Sequence, residues 1–152
     1  LLDGVAAINH DHYSDDYLKN ILTEVQSIAL VGASPRADRD SHIVMKVLLE
    51  AGYQVIPVNP REAGNSILGQ TCYGSLAEID VPVDMVEIFR SSEAALGVTE
   101  EAVAIGAKVV WMQLQIVNYQ AAEIAESSGI KVVMDRCPKL ELQKAYWTSW
   151  VR

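Results

Sequence analysis

From residue 27 the chain alternates short, β-branched apolar runs with longer stretches of helical period, and this rhythm restricts the fold more than any other feature. "SIALV" (27–31) precedes "SHIVMKVLLEAG", in which Ile43, Val44, Val47, Leu48 and Ala51 recur at helical spacing and Gly52 supplies a stop. "QVIPV" (54–58) reads as a second strand, whose Pro57 cannot donate to a ladder and so marks a strand end or edge. "VDMVEIF" (83–89), "KVVWM" (108–112) and "IKVVM" (130–134) make five strands. The helices between them start at Ser91 or Ser92 and at Asn118, side chains that accept from first-turn N–H groups, and stop towards Gly106 and Gly129. Strands spaced by helices predict βαβ crossovers. The expected fold is α/β: a doubly wound, mostly parallel, five- or six-stranded Rossmann-like sheet with helices on both faces. A sixth strand would be a short edge strand within residues 67–73.

A chain of 152 residues fits one domain, 1–152. Residues 1–26 form an N-terminal helical segment, with Tyr17, Leu18, Ile21, Leu22 and Val25 on one side. Residues 143–152 form an aromatic tail; Leu142, Tyr146, Trp147 and Trp150 share a helical face that packs on the domain or on a second subunit. Half of the chain is hydrophobic, enough for a core without disulfides or a structural metal. No apolar run approaches the ~18 residues of a membrane span. The start, "LLDGVAAINH", has neither a basic n-region nor an h-region, and lacks an initiator Met, so the numbering can begin inside a longer chain. The net charge of −8 argues against a broad nucleic-acid or acidic-lipid surface, but allows one anion in a locally basic pocket. Cys72 and Cys137 match no disulfide framework or zinc spacing, so the default setting is reducing and cytoplasmic.

In an open parallel sheet ligands bind at the carboxyl ends of the strands, near the switch point. The residues following each strand are therefore the candidates: Gly32 to Ser41, then Asn59, Pro60 and Arg61, then Arg90 and Ser91, then Gln113, Leu114 and Gln115, and last Asp135, Arg136 and Cys137. Arg36, Arg39, Arg61 and Arg90 gather on this rim of an acidic chain, and Arg136 is a fifth candidate. The planar guanidinium fork suits phosphate. In the first loop Gly32 permits a tight turn, Ser34 adds a hydroxyl, and the helix starting near Ser41 turns unpaired N–H groups and its positive dipole end towards the loop.

A dinucleotide fingerprint would read G-x-G-x-x-G here, with an acidic residue closing the second strand. This chain has "GASPRAD" and then Asn59-Pro60-Arg61, which disfavours NAD on both counts. Arg61 suits a ribose bearing a further phosphate, as in NADP or coenzyme A.

The first loop, "VIPVNP", "VDMVEIFR", "VVWMQLQIVN" and "VVMDRCPKLE" lie in register at five strand ends over roughly residues 15–142. Together they resemble the small stand-alone CoA-binding proteins, whose Rossmann domain is similar to that of the succinyl-CoA synthetase α-subunit. The resemblance implies a ligand, coenzyme A or an acyl-CoA, with Gly32, Ala33, Ser34, Arg36, Arg39 and Ser41 around its phosphates. It implies Val58, Asn59, Pro60 and Arg61 near the nucleotide, and Phe89 and Arg90 along the groove. It implies Gln113 and Leu114 near the pantetheine arm, and matches Cys137 to a Cys-Pro turn. Two departures stand out: Gln115, where the family tends to have Gly, and the aromatic tail. The synthetases' phosphoryl-carrying histidine belongs to another domain, so His42 does not inherit that role, and His10 and His12 have no metal-type partners nearby in sequence.

No nucleophile–base pair is visible. Cys137 beside Arg136 is the best reactive candidate, but a small packed residue before a turn-making proline is the simpler reading. Asp135 and Arg136 are expected to pair as ions, Asp84 and Glu87 to form a polar strand face, Trp111 to be core or groove wall, and Cys72 and Tyr73 to pack. The leading expectation is a module that holds CoA or an acyl-CoA as a carrier, sensor or regulator, with no catalytic residue and no metal, possible partners being a second copy or another protein. The alternatives are an enzyme acting on a CoA thioester and an NADP-binding regulatory domain.

Overall fold

A computed structural model describes residues 8–144 and Trp147. The elements run α1 (Asp15–Glu24), β1 (Ser27–Val31), α2 (Asp40–Glu50), β2 (Gln54–Val58), β3 (Ser66–Ile67), β4 (Gln70–Thr71), β5 (Met85–Ile88), α3 (Ser92–Ala104), β6 (Val109–Met112), α4 (Tyr119–Ser127), β7 (Lys131–Val133) and α5 (Pro138–Leu142). Five strands form one parallel sheet in the order β2-β1-β5-β6-β7. The chain builds outward from β1 to β2, then returns to the other side of β1 and continues to β7. The switch point therefore lies between the carboxyl ends of β1 and β5, after Val31 and Ile88.

The strands are apolar runs because both sheet faces are covered. Ile28, Leu30, Met85, Val109, Trp111 and Val133 face one core with Leu18, Ile21 and Leu22 of α1 and Val44, Met45 and Leu48 of α2. Ala29, Val31, Val86, Ile88, Val110 and Met112 face the other, against Ala95, Val98 and Ala102 of α3 and Ala121, Ala122 and Ala125 of α4. The small residues of α3 and α4 let that pair of helices lie close to the sheet. Ser14, Ser91 and Asn118 cap α1, α3 and α4 by accepting from Tyr17, Ala94 and Ala121 N–H.

Several expectations need correction. Residues 67–73 add no sixth strand to the sheet: β3 and β4 pair antiparallel with each other, and Tyr73 forms a single bridge to Val58 at the outer edge of β2. Asp84 and Glu87 do not form a polar strand face. Glu87 is wholly buried between Leu30 and Trp111, because a central parallel strand has no solvent side. Asp84 precedes β5 and its carboxylate accepts from the Gln26 and Ser27 N–H groups. Asp135 and Arg136 form no ion pair; Arg136 donates to the Asp135 carbonyl instead. Tyr146 and Trp150 lie outside the described residues, while Trp147 packs against the first core.

Candidate functional site

An open cleft of about 610 Å³ lies at the carboxyl ends of the strands. Its lining residues are Asp40 from the first turn of α2, Phe89, Arg90 and Ser91 after β5, and Gln113 to Ile116 after β6. Phe89, Arg90, Gln113 and Leu114 thus share one cavity. Asp40 falls within the candidate stretch Gly32 to Ser41, whereas Ile116, an apolar loop residue, carries no motif in the sequence.

Gly32 sits at the switch point with φ +95°, and a β-carbon there would lie 2.3 Å from the Phe89 carbonyl oxygen. The glycine is required by the meeting of β1 and β5, whatever the loop binds. The Gly32 and Ala33 N–H groups both donate to the Val58 carbonyl, at 3.0 and 3.3 Å. Those two donors are already engaged, and the Ala33, Val58 and Cys137 side chains are buried. Asn59 bridges the two loops, donating to the Ala33 carbonyl at 2.8 Å and accepting from Arg61 N–H at 2.9 Å. His42 Nδ1 donates to the Ser34 carbonyl at 2.9 Å, and Ser34 Oγ accepts from Arg36 N–H at 3.1 Å. These contacts fix the loop shape from within.

Helix α2 differs from α1, α3 and α4 in having no side-chain cap at its N-terminal residue, Arg39. Among the described residues, the Asp40 and Ser41 N–H groups have no hydrogen-bond partner, while His42 and Ile43 both donate to the Arg39 carbonyl. Arg36 pairs with Asp38 at 3.1 Å on the surface. Arg39, Arg61 and Arg90 are exposed and, among the described residues, form no ion pair. Arg136 does not join them: its guanidinium stacks 5.0 Å over the Tyr13 ring. Tyr13 is itself tied in, accepting from Met134 N–H at 2.9 Å and bonding His10 at 2.6 Å, and burial pushes its phenol up to about 12. Its position in the N-terminal segment left no sequence signal that it would reach the last strand.

The far wall of the cleft is held by Asp135, whose carboxylate accepts from Gln115 N–H at 2.7 Å, and by Ser92, which accepts from Val117 N–H at 3.0 Å. Gln115 is left-handed at φ +69°, the conformation that glycine adopts without strain. Gln113 is 8% exposed, and its carboxamide oxygen is buried without a hydrogen-bond partner. Trp111 is core, its Nε1–H donating to the Arg136 carbonyl at 2.9 Å. Among the described residues no group of three or more His, Cys, Asp or Glu is placed to hold a metal, and no helix is long and apolar enough to cross a membrane.

A protein-family model, CoA binding domain, matches residues 26–143. The chain belongs to the CoA-binding domain family. Relatives of this domain occur alone and within larger enzymes. The uncharacterized protein YneT of Bacillus subtilis (strain 168) is 44% identical over 123 residues, spanning 81% of this chain and 90% of YneT. The solved structure of a hypothetical protein from Pyrococcus horikoshii OT3 superposes with a TM-score of 0.84 at 39% identity, covering 91% of this chain and 96% of that one. An ADP-forming acetate–CoA ligase of Methanocaldococcus jannaschii is 25% identical over 130 residues, which are 80% of this chain but 18% of the ligase. The CoA-binding domain here thus corresponds to one portion of the ligase.

Proposed function

We propose that this chain binds coenzyme A or an acyl-CoA across the carboxyl ends of β1, β2, β5 and β6, as a carrier, sensor or regulatory module. The observation that carries the reading is the uncapped start of α2 at the switch point: two unpartnered N–H groups and a dipole end beside unpaired arginines, at the edge of an open cleft of about 610 Å³. Family membership supplies the ligand class.

In this reading the diphosphate meets the Asp40 and Ser41 N–H groups, with Ser34, Arg36 and Arg39 around it. Gly32 and Ala33 shape the turn rather than donate, because Val58 holds their N–H groups. Val58, Asn59 and Pro60 back the nucleotide, and Arg61 meets the ribose phosphate. Phe89, Arg90, Gln113 and Leu114 line the path of the pantetheine arm, and Leu114, 43% exposed, gives it an apolar contact. Cys137 supports the corner between β7 and α5 from inside the core.

A calorimetric titration with CoA, dephospho-CoA and NADP tests the reading. Binding of CoA that weakens in dephospho-CoA is expected. A clear response to NADP with none to CoA would sink it.

A further inference from the structure

The loop after β6 is a tight turn. Ile116 N–H donates to the Gln113 carbonyl at 2.9 Å, which closes four residues with Leu114 and Gln115 at the centre. Apart from glycines, only Leu68, Gln115 and Asp135 of the described residues have a positive φ, so Leu114 has a negative φ and Gln115, at +69°, a positive one. That combination is a type II turn, which favours Gly at its third position. With a side chain there the ordinary choice is type I, in which the Leu114–Gln115 peptide is turned over. Asp135 offsets this preference: its carboxylate accepts from Gln115 N–H at 2.7 Å, and its own N–H donates to the Ile116 carbonyl at 3.2 Å.

A trans peptide points its N–H and its carbonyl in opposite directions, and no peptide of the described residues is cis. With Gln115 N–H committed to Asp135, the Leu114 carbonyl is turned away from Asp135, and among the described residues it accepts no hydrogen bond. Leu114 and Gln115 both line the cleft, and Asp135 does not. We propose that Asp135 is a positioning residue for the cleft: it holds the Leu114–Gln115 peptide turned so that the Leu114 carbonyl faces the ligand and accepts from an N–H group. The inference rests on the CoA reading, whose ligand carries such donors in the two amides of its pantetheine arm. Released from Asp135, the peptide turns over to type I, and the wall offers an N–H where it had offered a carbonyl.

Asp135 is itself braced. Its φ of +58° is left-handed, so its own backbone pose needs support. Its carbonyl accepts from Arg136 Nη1 at 2.8 Å, and the Arg136 guanidinium lies 5.0 Å over the Tyr13 ring. Arg136 N–H donates to the Met112 carbonyl at 3.3 Å, which ties this corner to the end of β6. On the other side of the turn Ser92 Oγ donates to the Gln115 carbonyl at 3.4 Å. Two left-handed residues that carry side chains are thus joined by one hydrogen bond beside the cleft. Strained backbone of this kind persists where the contacts around it over-determine it.

The test is calorimetry with CoA and with adenosine 3′,5′-bisphosphate, which has the nucleotide and no arm, with folding checked by circular dichroism. Asp135→Gly keeps the left-handed corner and removes the carboxylate. It should bind CoA about tenfold more weakly, the scale of one hydrogen bond, and the bisphosphate within about twofold of wild type. Asp135→Asn keeps an acceptor oxygen and should stay within about twofold for both compounds. Adding Gln115→Gly to Asp135→Gly should restore most of the CoA affinity, because glycine holds a type II turn unaided. Unchanged CoA affinity in a folded Asp135→Gly protein, or an equal loss for the two compounds, overturns the proposal. If that variant does not fold, a wild-type Leu114 carbonyl carbon resonance that stays fixed as CoA saturates overturns it instead. A wild type that binds neither compound removes the CoA reading itself and this proposal with it, a result distinct from either.

Discussion

The backbone of Phe89 leaves no room for a side chain at residue 32: a β-carbon on Gly32 would lie 2.3 Å from its carbonyl oxygen. The contact joins the ends of the two strands that flank the switch point, and the obstacle is backbone, which cannot rotate away. Gly32→Ala adds this clash to a left-handed φ, and is expected to destabilise the fold by about 2–4 kcal/mol. Urea denaturation measures it. A loss under half a kcal/mol would mean that the strand ends separate easily.

Gln115 presents the opposite case. Its φ of +69° strains any side chain, while its N–H and carbonyl are both engaged, with Asp135 and Ser92. Gln115→Gly should therefore stabilise the protein, by about 0.5–1 kcal/mol after the added freedom of the unfolded chain is counted. A lower thermal midpoint for this variant would contradict the strain argument.

Glu87 and Asp84 give stability opposite pH slopes. The folded-state pKa of Glu87 is raised, so its share of stability is complete below the unfolded value of about 4.3 and is lost as pH rises towards the folded value. Glu87→Gln should remove that loss and be the more stable protein at neutral pH. For Asp84, burial pushes the carboxyl up, but the Gln26 and Ser27 N–H groups and Lys108 more than offset it, leaving the pKa lowered. Its share is present above the unfolded value of about 3.9 and is lost in acid. Denaturation from acid to neutral pH should show Asp84→Asn losing most of its deficit in acid, and parallel curves for all three proteins would refute both assignments.

Charge on the α2 rim makes a paired prediction about ligand affinity. Arg39→Ala should weaken CoA binding by about 1.5–3 kcal/mol, the scale of a charged hydrogen bond, with little change in stability. Asp40 lines the cleft beside the same N–H groups and repels an anion there, although it suits the helix dipole. Asp40→Asn should tighten CoA binding by about 0.2–1 kcal/mol. Calorimetry on the two variants decides; unchanged affinity in both would take the phosphates away from this rim.

The sheet was legible because its strands are continuous apolar runs separated by helices with clear starts at Ser91 and Asn118, and because Pro57 does lie on the edge strand β2. The cleft was legible where it coincides with strand ends, at Phe89, Arg90, Gln113 and Leu114. Other features depend on contacts between distant segments, which no local pattern encodes. The engagement of Gly32 and Ala33 by Val58 arises only once β1 and β2 pair, and the diversion of Arg136 needs Tyr13, more than a hundred residues earlier. Glu87 was misread for a different reason. Alternation of polar and apolar residues signals a solvated face in antiparallel sheets, but a central parallel strand has none to offer.

The bridge from Tyr73 to β2 bears on how copies of this protein could associate. Tyr73 N–H donates to the Pro57 carbonyl and its own carbonyl accepts from Asn59 N–H, so the outer side of β2 is occupied at its carboxyl half, and Pro57 has no N–H to donate at all. Strand addition at that margin is blocked by the chain itself. The opposite margin, β7, is three residues long and begins with an exposed lysine. Both borders of the sheet thus disfavour runaway strand addition.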